Sequence, residues 1–289
     1  MKKVLITGAT GNVGLEVIKS LQNFDHHFNI YAGVRNLKED KNKLAKYNIQ
    51  YLTFDFTDIK SFEPALMGCE ILFLLRPPQI STVKKFFKPL IQTCIDTGVK
   101  HIVFLSVQGV EKSNIIPHHK IEKLILESKI AYTFLRPAYF MQNFTTTLQS
   151  DLIIKKQIYL PAGNSKFTLI DVRDIGAVAA CIITNIAAHK NKIYELTCEE
   201  KLSFFEMAKI LSNQLGINIH FTSPGIINFF LTKKKEGVPS MFIFVMIMLH
   251  YFPRFQKEPK ITDCVKKITY KKPITFSQFI NDYKNLLKL

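Results

Sequence analysis

The sequence predicts an α/β protein: a doubly wound parallel sheet of the Rossmann type with a smaller C-terminal α+β region that contributes elements back to it. Three observations carry that reading. The apolar run Val4-Leu5-Ile6 passes into Gly8-Ala9-Thr10-Gly11-Asn12-Val13-Gly14, and a helical pattern follows from Val13 towards Leu21. Apolar runs then alternate with helical patterns through residue 137, as βαβ units with right-handed crossovers require. Beyond Pro137 the alternation loosens, so the expected division is a core over 1–150 and a smaller substrate-binding or lid region over 151–289 packed on it.

Val4 to Ile6 suits a strand buried on both faces, because helices cover both sides of a parallel sheet. In the turn that follows, Gly8 allows a tight reversal, Gly11 lets backbone approach a phosphate, and Gly14 lets helix pack on strand. The free N–H groups of the helix start, together with the helix dipole, favour a pyrophosphate. The spacing is GxxGxxG rather than the commoner GxGxxG, and glycines also punctuate ordinary turns. The strand before and the helix after therefore carry the inference, not the glycine count.

Residues 29–34 (NIYAGV) read as a second strand that ends at Arg35-Asn36. An acid at this point would bind ribose hydroxyls, whereas a base accommodates a 2′-phosphate. Arg35, with Lys38 as a helper, thus favours NADP(H), with NAD(H) still admissible; an ordinary surface arginine is the alternative. A helix over 38–47 and a third strand over 50–54 lead to Asp55-Phe56. Asp55 suits either the adenine amino group or, like Asp58, the capping of the next helix. Residues 71–75 form a continuous apolar run, hence a central strand, stopped by Arg76-Pro77-Pro78 near the cofactor edge. Helical spacing over 81–97 gives Phe86, Phe87, Leu90, Ile91 and Cys94 one apolar face, with Gly98 as its C-terminal cap. His101–Leu105 is the fifth strand and ends at Ser106; 117–128 is helical; 131–135 is the sixth strand and ends at Arg136-Pro137.

Further on, the sequence predicts a helix over 138–148, a strand over 167–170, and a helix opened by Asp171 and Asp174. Lys192–Leu196 is a short strand, and Ser203 with Glu206 three residues on announces a helix over 203–215. A long apolar helical region covers 226–251, and 276–287 is a closing amphipathic helix. The run 241–249 is compatible with a lid over an apolar ligand, with core packing, and with a dimer or partner contact.

With 289 residues, 47% hydrophobic and 21% charged, the chain has ample material for packed cores. The net charge of +16 comes almost wholly from dispersed lysine. No basic motif interleaved with aromatics accompanies it, so nucleic acid is not expected as a partner. Arginine is scarce, and three of the five (Arg35, Arg76, Arg136) close an apolar run, where a planar fork has a use. The five cysteines are far apart without CxxC spacing, which argues against a disulfide framework or a metal site. The N-terminus enters a strand directly, and 241–249 falls short of the about 20 residues a membrane span needs. The expectation is a cytoplasmic protein without a membrane span.

With GATGNVG, Arg35 and the segment YTFLRPAYFMQNF at 132–144 in view, the chain resembles the NmrA-like group of atypical short-chain dehydrogenases/reductases over nearly its whole length. The HxxxE spacing of His118 and Glu122, the LRP at 135–137 and the DVRDI at 171–175 fit the same group. The resemblance implies a Rossmann core and a C-terminal substrate domain in one cleft-bearing unit. It also implies NADPH held by Gly8, Thr10 to Val13, Arg35, Leu75 and the Ser106 region. Strand ends and resemblance together nominate Gly8, Thr10, Gly11, Asn12, Val13, Gly14, Arg35, Asp55, Phe56, Leu75, Arg76, Ser106 and Pro137 as cofactor contacts.

The departure concerns chemistry. Ordinary short-chain reductases carry YxxxK, the tyrosine giving a proton and the lysine lowering its pKa. Here Asn114 stands at the tyrosine position and His118 at the lysine position, with Lys120 out of register. Reduction of a ketone needs a proton donor at the developing alkoxide, so that reaction is not expected. One surviving function is an NAD(P)H-dependent reductase of a quinone-like or other small apolar acceptor, whose delocalised oxygen solvent or a histidine can protonate. Its candidate catalytic residues are His118, Ser106 and Tyr139, and its candidate substrate contacts Tyr139, Phe140 and Asn143. The alternative is a non-catalytic NADP(H) sensor acting through a regulatory protein partner, with a homodimer left open. Isomerase or other redox chemistry on a small aromatic or sugar-nucleotide substrate is allowed by family breadth but favoured by no residue.

Overall fold

In the computed structural model, which describes residues 2–24 and 28–287, the first element is β1 (Lys2–Ile6), fully buried from Val4 to Ile6. α1 (Asn12–Leu21) follows, with Val13, Val17, Ile18 and Leu21 on its buried stripe. β2 (Phe28–Val34) leads to α2 (Leu37–Leu44), where the Asn36 side chain accepts from the N–H groups of Lys38 and Glu39. β3 (Gln50–Thr53) is followed by a 3-10 turn capped by Asp58, and then by α3 (Phe62–Leu66). Between β4 (Cys69–Leu75) and β5 (His101–Leu105) runs α4 (Val83–Asp96). α4 closes with Val99 N–H on the Cys94 carbonyl at 2.9 Å and Gly98 N–H on Ile95 at 3.1 Å, the paired bonds of a Schellman cap. α5 (Pro117–Glu127), with proline at its first turn, and β6 (Ala131–Pro137) complete the alternation.

Next come β7 (Tyr139–Phe140), α6 (Gln149–Lys155), β8 (Gln157–Tyr159) and β9 (Lys166–Ile170). α7 (Val172–Thr184), β10 (Lys192–Leu196) and β11 (Lys201–Ser203) follow. α8 (Phe204–Leu215) starts in a full capping box, Ser203 and Glu206 exchanging bonds as their spacing predicts. The chain ends with β12 (His220–Thr222), α9 (Ile226–Lys235), α10 (Ser240–His250), α11 (Cys264–Thr269), α12 (Phe276–Asp282) and α13 (Lys284–Leu287).

Seven parallel strands form the main sheet in the order β10-β6-β5-β4-β1-β2-β3. The order reverses between β1 and β4, which is the switch point where such sheets bind ligands at the carboxyl ends of their strands. β10 adds a strand beyond the six of the alternating region, pairing Lys192 with Thr133 through Leu196 with Pro137.

The chain divides into two units. Unit 1 comprises Met1–Ala138, Val172–Leu196 and Asp263–Lys272. One face of its sheet packs Leu5, Phe54, Leu72, Phe87, Phe104 and Phe134 into a continuous core. Unit 2 comprises Tyr139–Asp171, Thr197–Thr262 and Pro273–Leu289, and its core gathers Phe144, Phe167, Phe204, Phe229, Phe276 and Phe279. Inside unit 2 the ammonium of Lys233, 5% exposed, is held by Asp151 and by Glu236 at 2.8 Å, and lies 5.7 Å from the Tyr159 ring centre. Full pairing is what lets a lysine stay buried there.

Three helices differ from expectation. Residues 138–148 form no α-helix: Tyr139 and Phe140 pair with Leu169 and Ile170, and a 3-10 turn Met141–Thr145 follows. The hydroxyls of Thr145 and Thr146 donate to the Gln142 carbonyl at 3.1 and 2.8 Å, competing for an acceptor that a helix would need. The 226–251 region breaks into α9 and α10, because Gly237 turns with φ +81° and Pro239 then removes a donor. The closing helix is interrupted at Tyr283, whose ring leans on Phe279 at 4.8 Å. The run 241–249 is part core and part surface: Ile243 and Met246 are buried, Met241 and Met248 exposed.

Candidate functional site

Because every strand of the main sheet is parallel, the ends of β1 to β6 lie along one edge. The turn after β1 is stitched to β4 by Thr7, which is fully buried. Its hydroxyl donates to the Phe73 carbonyl at 3.0 Å and accepts the Leu75 N–H at 2.9 Å. Sequence reasoning passed over Thr7, although a hydroxyl ending an otherwise apolar strand was the available signal. Gly8 takes φ +62°, with a built Cβ 3.1 Å from a Leu75 methyl. Gly11 N–H returns to the Gly8 carbonyl at 2.9 Å, tightening the turn. At Gly14 a Cβ would sit 2.2 Å from the Gly8 carbonyl oxygen, so helix and turn touch through backbone alone.

Thr10, Gly11 and Asn12 face outward. The N-terminus of α1 has neither a capping side chain nor an acid in its first turn. Its leading N–H groups and dipole therefore present a positive end that no side chain of the helix neutralises. Gly176, also missed in the sequence, lets α7 pack on α1: its built Cβ would lie 2.6 Å from the Glu16 carbonyl. A lone glycine inside a helical pattern was the clue.

The three strand-end arginines separate sharply. Arg76 folds back on its own loop, donating to the carbonyls of Pro77, Pro78 and Ile80 at 2.8–3.2 Å and from Nε to His118 Nε2 at 3.3 Å. Arg136 forms a two-point pair with Glu122 at 3.0 and 2.7 Å, and reaches Glu111 at 3.1 Å. His118 and Glu122, the HxxxE pair on α5, thus each receive one arginine from the sheet edge. Arg35 is different: it is exposed and has no hydrogen bond or ion pair among the described residues.

His118 accepts from Arg76 at Nε2, so its proton rests on Nδ1. Burial, reinforced by the positive charge of Arg76, pushes its pKa down to about 3. The ring is therefore neutral near pH 7. Its Nδ1 and the hydroxyl of Ser106 at the end of β5 are both buried without a partner among the described residues. Buried polar atoms are rarely left unpaired, so these two are suited to a ligand. Asn114 and Lys120 are both exposed, and Asn114 precedes α5.

Other nominated positions have internal partners. Asp55 accepts from the Thr57 N–H and hydroxyl at 2.8 Å each, forming a local turn, and Asp58 caps the 3-10 turn after it. The Phe56 ring lies in the core against Phe54 and Phe87, which leaves its backbone at the edge. The Pro137 carbonyl accepts from Gln108 N–H at 3.0 Å.

Unit 2 contains the remaining candidates. His250 Nδ1 lies 2.6 Å from the Met246 carbonyl, so Nδ1 donates there and Nε2 accepts the Tyr139 hydroxyl proton at 3.2 Å. Asn143 lies in the 3-10 turn that follows β7, and burial raises the Tyr139 pKa well above its usual range. Burial lowers His250 to about 4. The rings of Phe167 and Phe204 enclose this pair at 5.6–6.2 Å. Phe140 is half-buried beside it in the chain. His250, at the end of a greasy helical run, carried no sequence signal of its own.

A parallel sheet that reverses order beside a glycine turn and an uncapped helix start defines a doubly wound α/β protein of the dinucleotide-binding class. More narrowly, the chain belongs to the NmrA-like family, which it matches over residues 1–279. It is 29% identical over 281 residues to Prestalk A differentiation protein A of Dictyostelium discoideum, covering 96% of this chain and 91% of that one. It is 28% identical over 280 residues to NAD(P)H azoreductase of Xenophilus azovorans, covering 96% of each. An NADPH-dependent quinone oxidoreductase from Escherichia coli, solved with NADPH, shares the fold with a TM-score of 0.87 at 23% identity, over 96% of this chain and 99% of that one. No described helix is long and apolar enough to cross a membrane.

Proposed function

We propose that this chain is an NADPH-dependent reductase of small, easily reduced apolar acceptors of the quinone type. The observation that carries the reading is a phosphate cradle without a proton-donor dyad. The α1 start and its glycine turn fit a pyrophosphate: no side chain caps the leading N–H groups and no acid competes in the first turn. Arg35, exposed and unpaired among the described residues, fits a 2′-phosphate. The buried, partnerless Ser106 hydroxyl and His118 Nδ1 fit the polar groups at the nicotinamide end. When bound, the reduced dinucleotide supplies a hydride. The azoreductase and quinone oxidoreductase relatives support the same reading.

What the side chains do limits the acceptor. His118, with its pKa near 3, acts as a hydrogen-bond donor from Nδ1 and not as a cationic acid. The Tyr139 hydroxyl already donates its hydrogen bond to His250, and burial holds its proton in place. Neither residue is poised to protonate an alkoxide. An acceptor whose product oxygen is delocalised takes its proton from solvent instead, which selects quinone-like compounds over ketones and aldehydes. In unit 2, Tyr139, Phe140 and Asn143 supply aromatic and amide surface suited to such an acceptor.

The test is to mix purified protein with NADPH and a panel of benzoquinones, naphthoquinones and aldehydes, following loss of nicotinamide absorbance. Turnover on quinones but not aldehydes is expected. Tight NADPH binding with no oxidation by any acceptor would sink the reductase and favour a sensor. For the cofactor choice, Arg35→Asp is expected to weaken NADPH by about 10–100-fold while leaving NADH within about threefold, the scale of a lost charge-assisted bond. Titration of both nucleotides checks this, and equal, unchanged affinities would remove Arg35 from the phosphate site.

A further inference from the structure

Unit 2 carries an apolar face that its own core does not use. Nine of the eleven residues of α10 (SMFIFVMIMLH) are apolar, and a helix apolar all round is normally buried on every side. Here Ile243, Met246 and His250 form the inward stripe at i, i+3, i+7. On the opposite side Met241, Phe244, Val245 and Met248 repeat at helical spacing, yet they are 42–76% exposed. α9 continues the face: Ile227 is 73% and Leu231 54% exposed, and Phe230 packs on Phe244 with ring centres 5.3 Å apart. A contiguous set of this kind marks an interaction surface, unlike apolar residues scattered singly.

The charge around it has one sign. Residues 226–260 contain Lys233, Lys234, Lys235, Arg254, Lys257 and Lys260 against only Glu236 and Glu258. Both acids are neutralised within unit 2, Glu236 by Lys155 and Lys233, and Glu258 by Lys201 at 2.6 Å. Lys234 and Lys235 remain exposed in the last turn of α9, and Lys257 is exposed further along the chain. A second copy of the chain would set this rim, and a net charge of +16, against its own like. An anionic lipid surface complements both features at once.

We propose that the α9–α10 face docks on an anionic phospholipid bilayer. The outward side chains of α10 enter the boundary between headgroups and acyl chains, and the flanking lysines meet the lipid phosphates. The mode is peripheral, since no described helix crosses a membrane. The inference is independent of the redox reading, because testing it needs neither nucleotide nor acceptor.

The full chain is sedimented with phosphatidylcholine vesicles containing about a third phosphatidylglycerol, and with pure phosphatidylcholine vesicles. Binding to the anionic vesicles only is expected. It should weaken steeply from about 0.1 M to about 1 M salt as the Debye length falls from about 10 to about 3 Å. Phe244→Glu with Met248→Glu, and separately Lys234→Glu with Lys235→Glu, should each lower vesicle affinity at least about tenfold. The thermal melting point should stay near that of the parent, because these side chains are exposed. Absent binding, or binding indifferent to both pairs, overturns the proposal. A concentration-dependent dimer that Phe244→Glu with Met248→Glu dissociates overturns it in favour of a second copy.

Discussion

Gly14→Ala is expected to abolish measurable nucleotide binding and to cost about 2–4 kcal/mol of stability, at the upper end for overpacking a rigid contact. The added Cβ would lie 2.2 Å from the Gly8 carbonyl oxygen, 2.7 Å from its carbon and 2.9 Å from Ala9 Cα. All three are backbone atoms, so no side chain can rotate away and α1 must lift off the turn. Lifting α1 moves the N–H groups that face the expected pyrophosphate. Gly11→Ala is the informative contrast. Its Cβ meets only the Gly8 carbonyl, at 3.3 Å, and its φ of −86° suits any residue. It is expected to melt near the parent while binding nucleotide more weakly, because the new methyl stands where a phosphate approaches. Thermal melting beside nucleotide titration reads both effects. A Gly14→Ala protein that melts and binds like the parent would refute the packing account.

Acid should unfold this protein early. Burial lowers His101 and His250 to about 4 and His118 to about 3, against an unfolded value of 6.5. Each ring has a reason to stay neutral. His101 is buried near the positive charge of Lys190, while its Nε2 donates to the Thr133 hydroxyl at 2.9 Å, since that hydroxyl itself donates to the His189 carbonyl. His118 accepts from Arg76, and His250 accepts from Tyr139. Above pH 6.5 the three are neutral in both states and add no pH dependence. Below it the unfolded chain gains protons that the native state refuses, so stability falls as pH drops from about 6.5 towards 4. Each histidine contributes at most about 1.4 kcal/mol per pH unit, and the three together roughly 2–4. Urea unfolding between neutrality and pH 4.5 measures the slope, and His101→Asn should flatten it by about a third. A flat profile would mean that these rings are solvated.

Much of the fold was legible because local physics and tertiary demand agree through the first half of the chain and again at the start of α8. Apolar runs of strand length, glycine at the switch point and the Ser203–Glu206 capping box each act within a few residues, and each element appears where its pattern predicts. The Met141–Thr145 turn was not legible, since aromatic and polar spacing there reads as helix. What overrides it is threonine hydroxyls on the Gln142 carbonyl and the pairing of Tyr139 with Leu169, thirty residues on. The helix break near Gly237 was legible in principle, but the apolar run on both sides masked it.

The arginines show the same division in the candidate site. Sequence position marked Arg35 for a 2′-phosphate and Arg76 for the cofactor edge, and left Arg136 as a strand-end fork without a role. Only the folded chain shows that Arg76 and Arg136 are already engaged, because their partners stand up to forty-two residues away. The sequence by itself determined the class of protein, the glycine cradle and the absence of YxxxK, all of which reside in short contiguous stretches. The tertiary structure alone decided which polar atoms remain without partners, that His118 is neutral, and that the Tyr139 hydroxyl is engaged as a donor to His250. Hydrogen-bond satisfaction and desolvation depend on what is packed alongside a group, and that is set by the fold and not by neighbours in the chain.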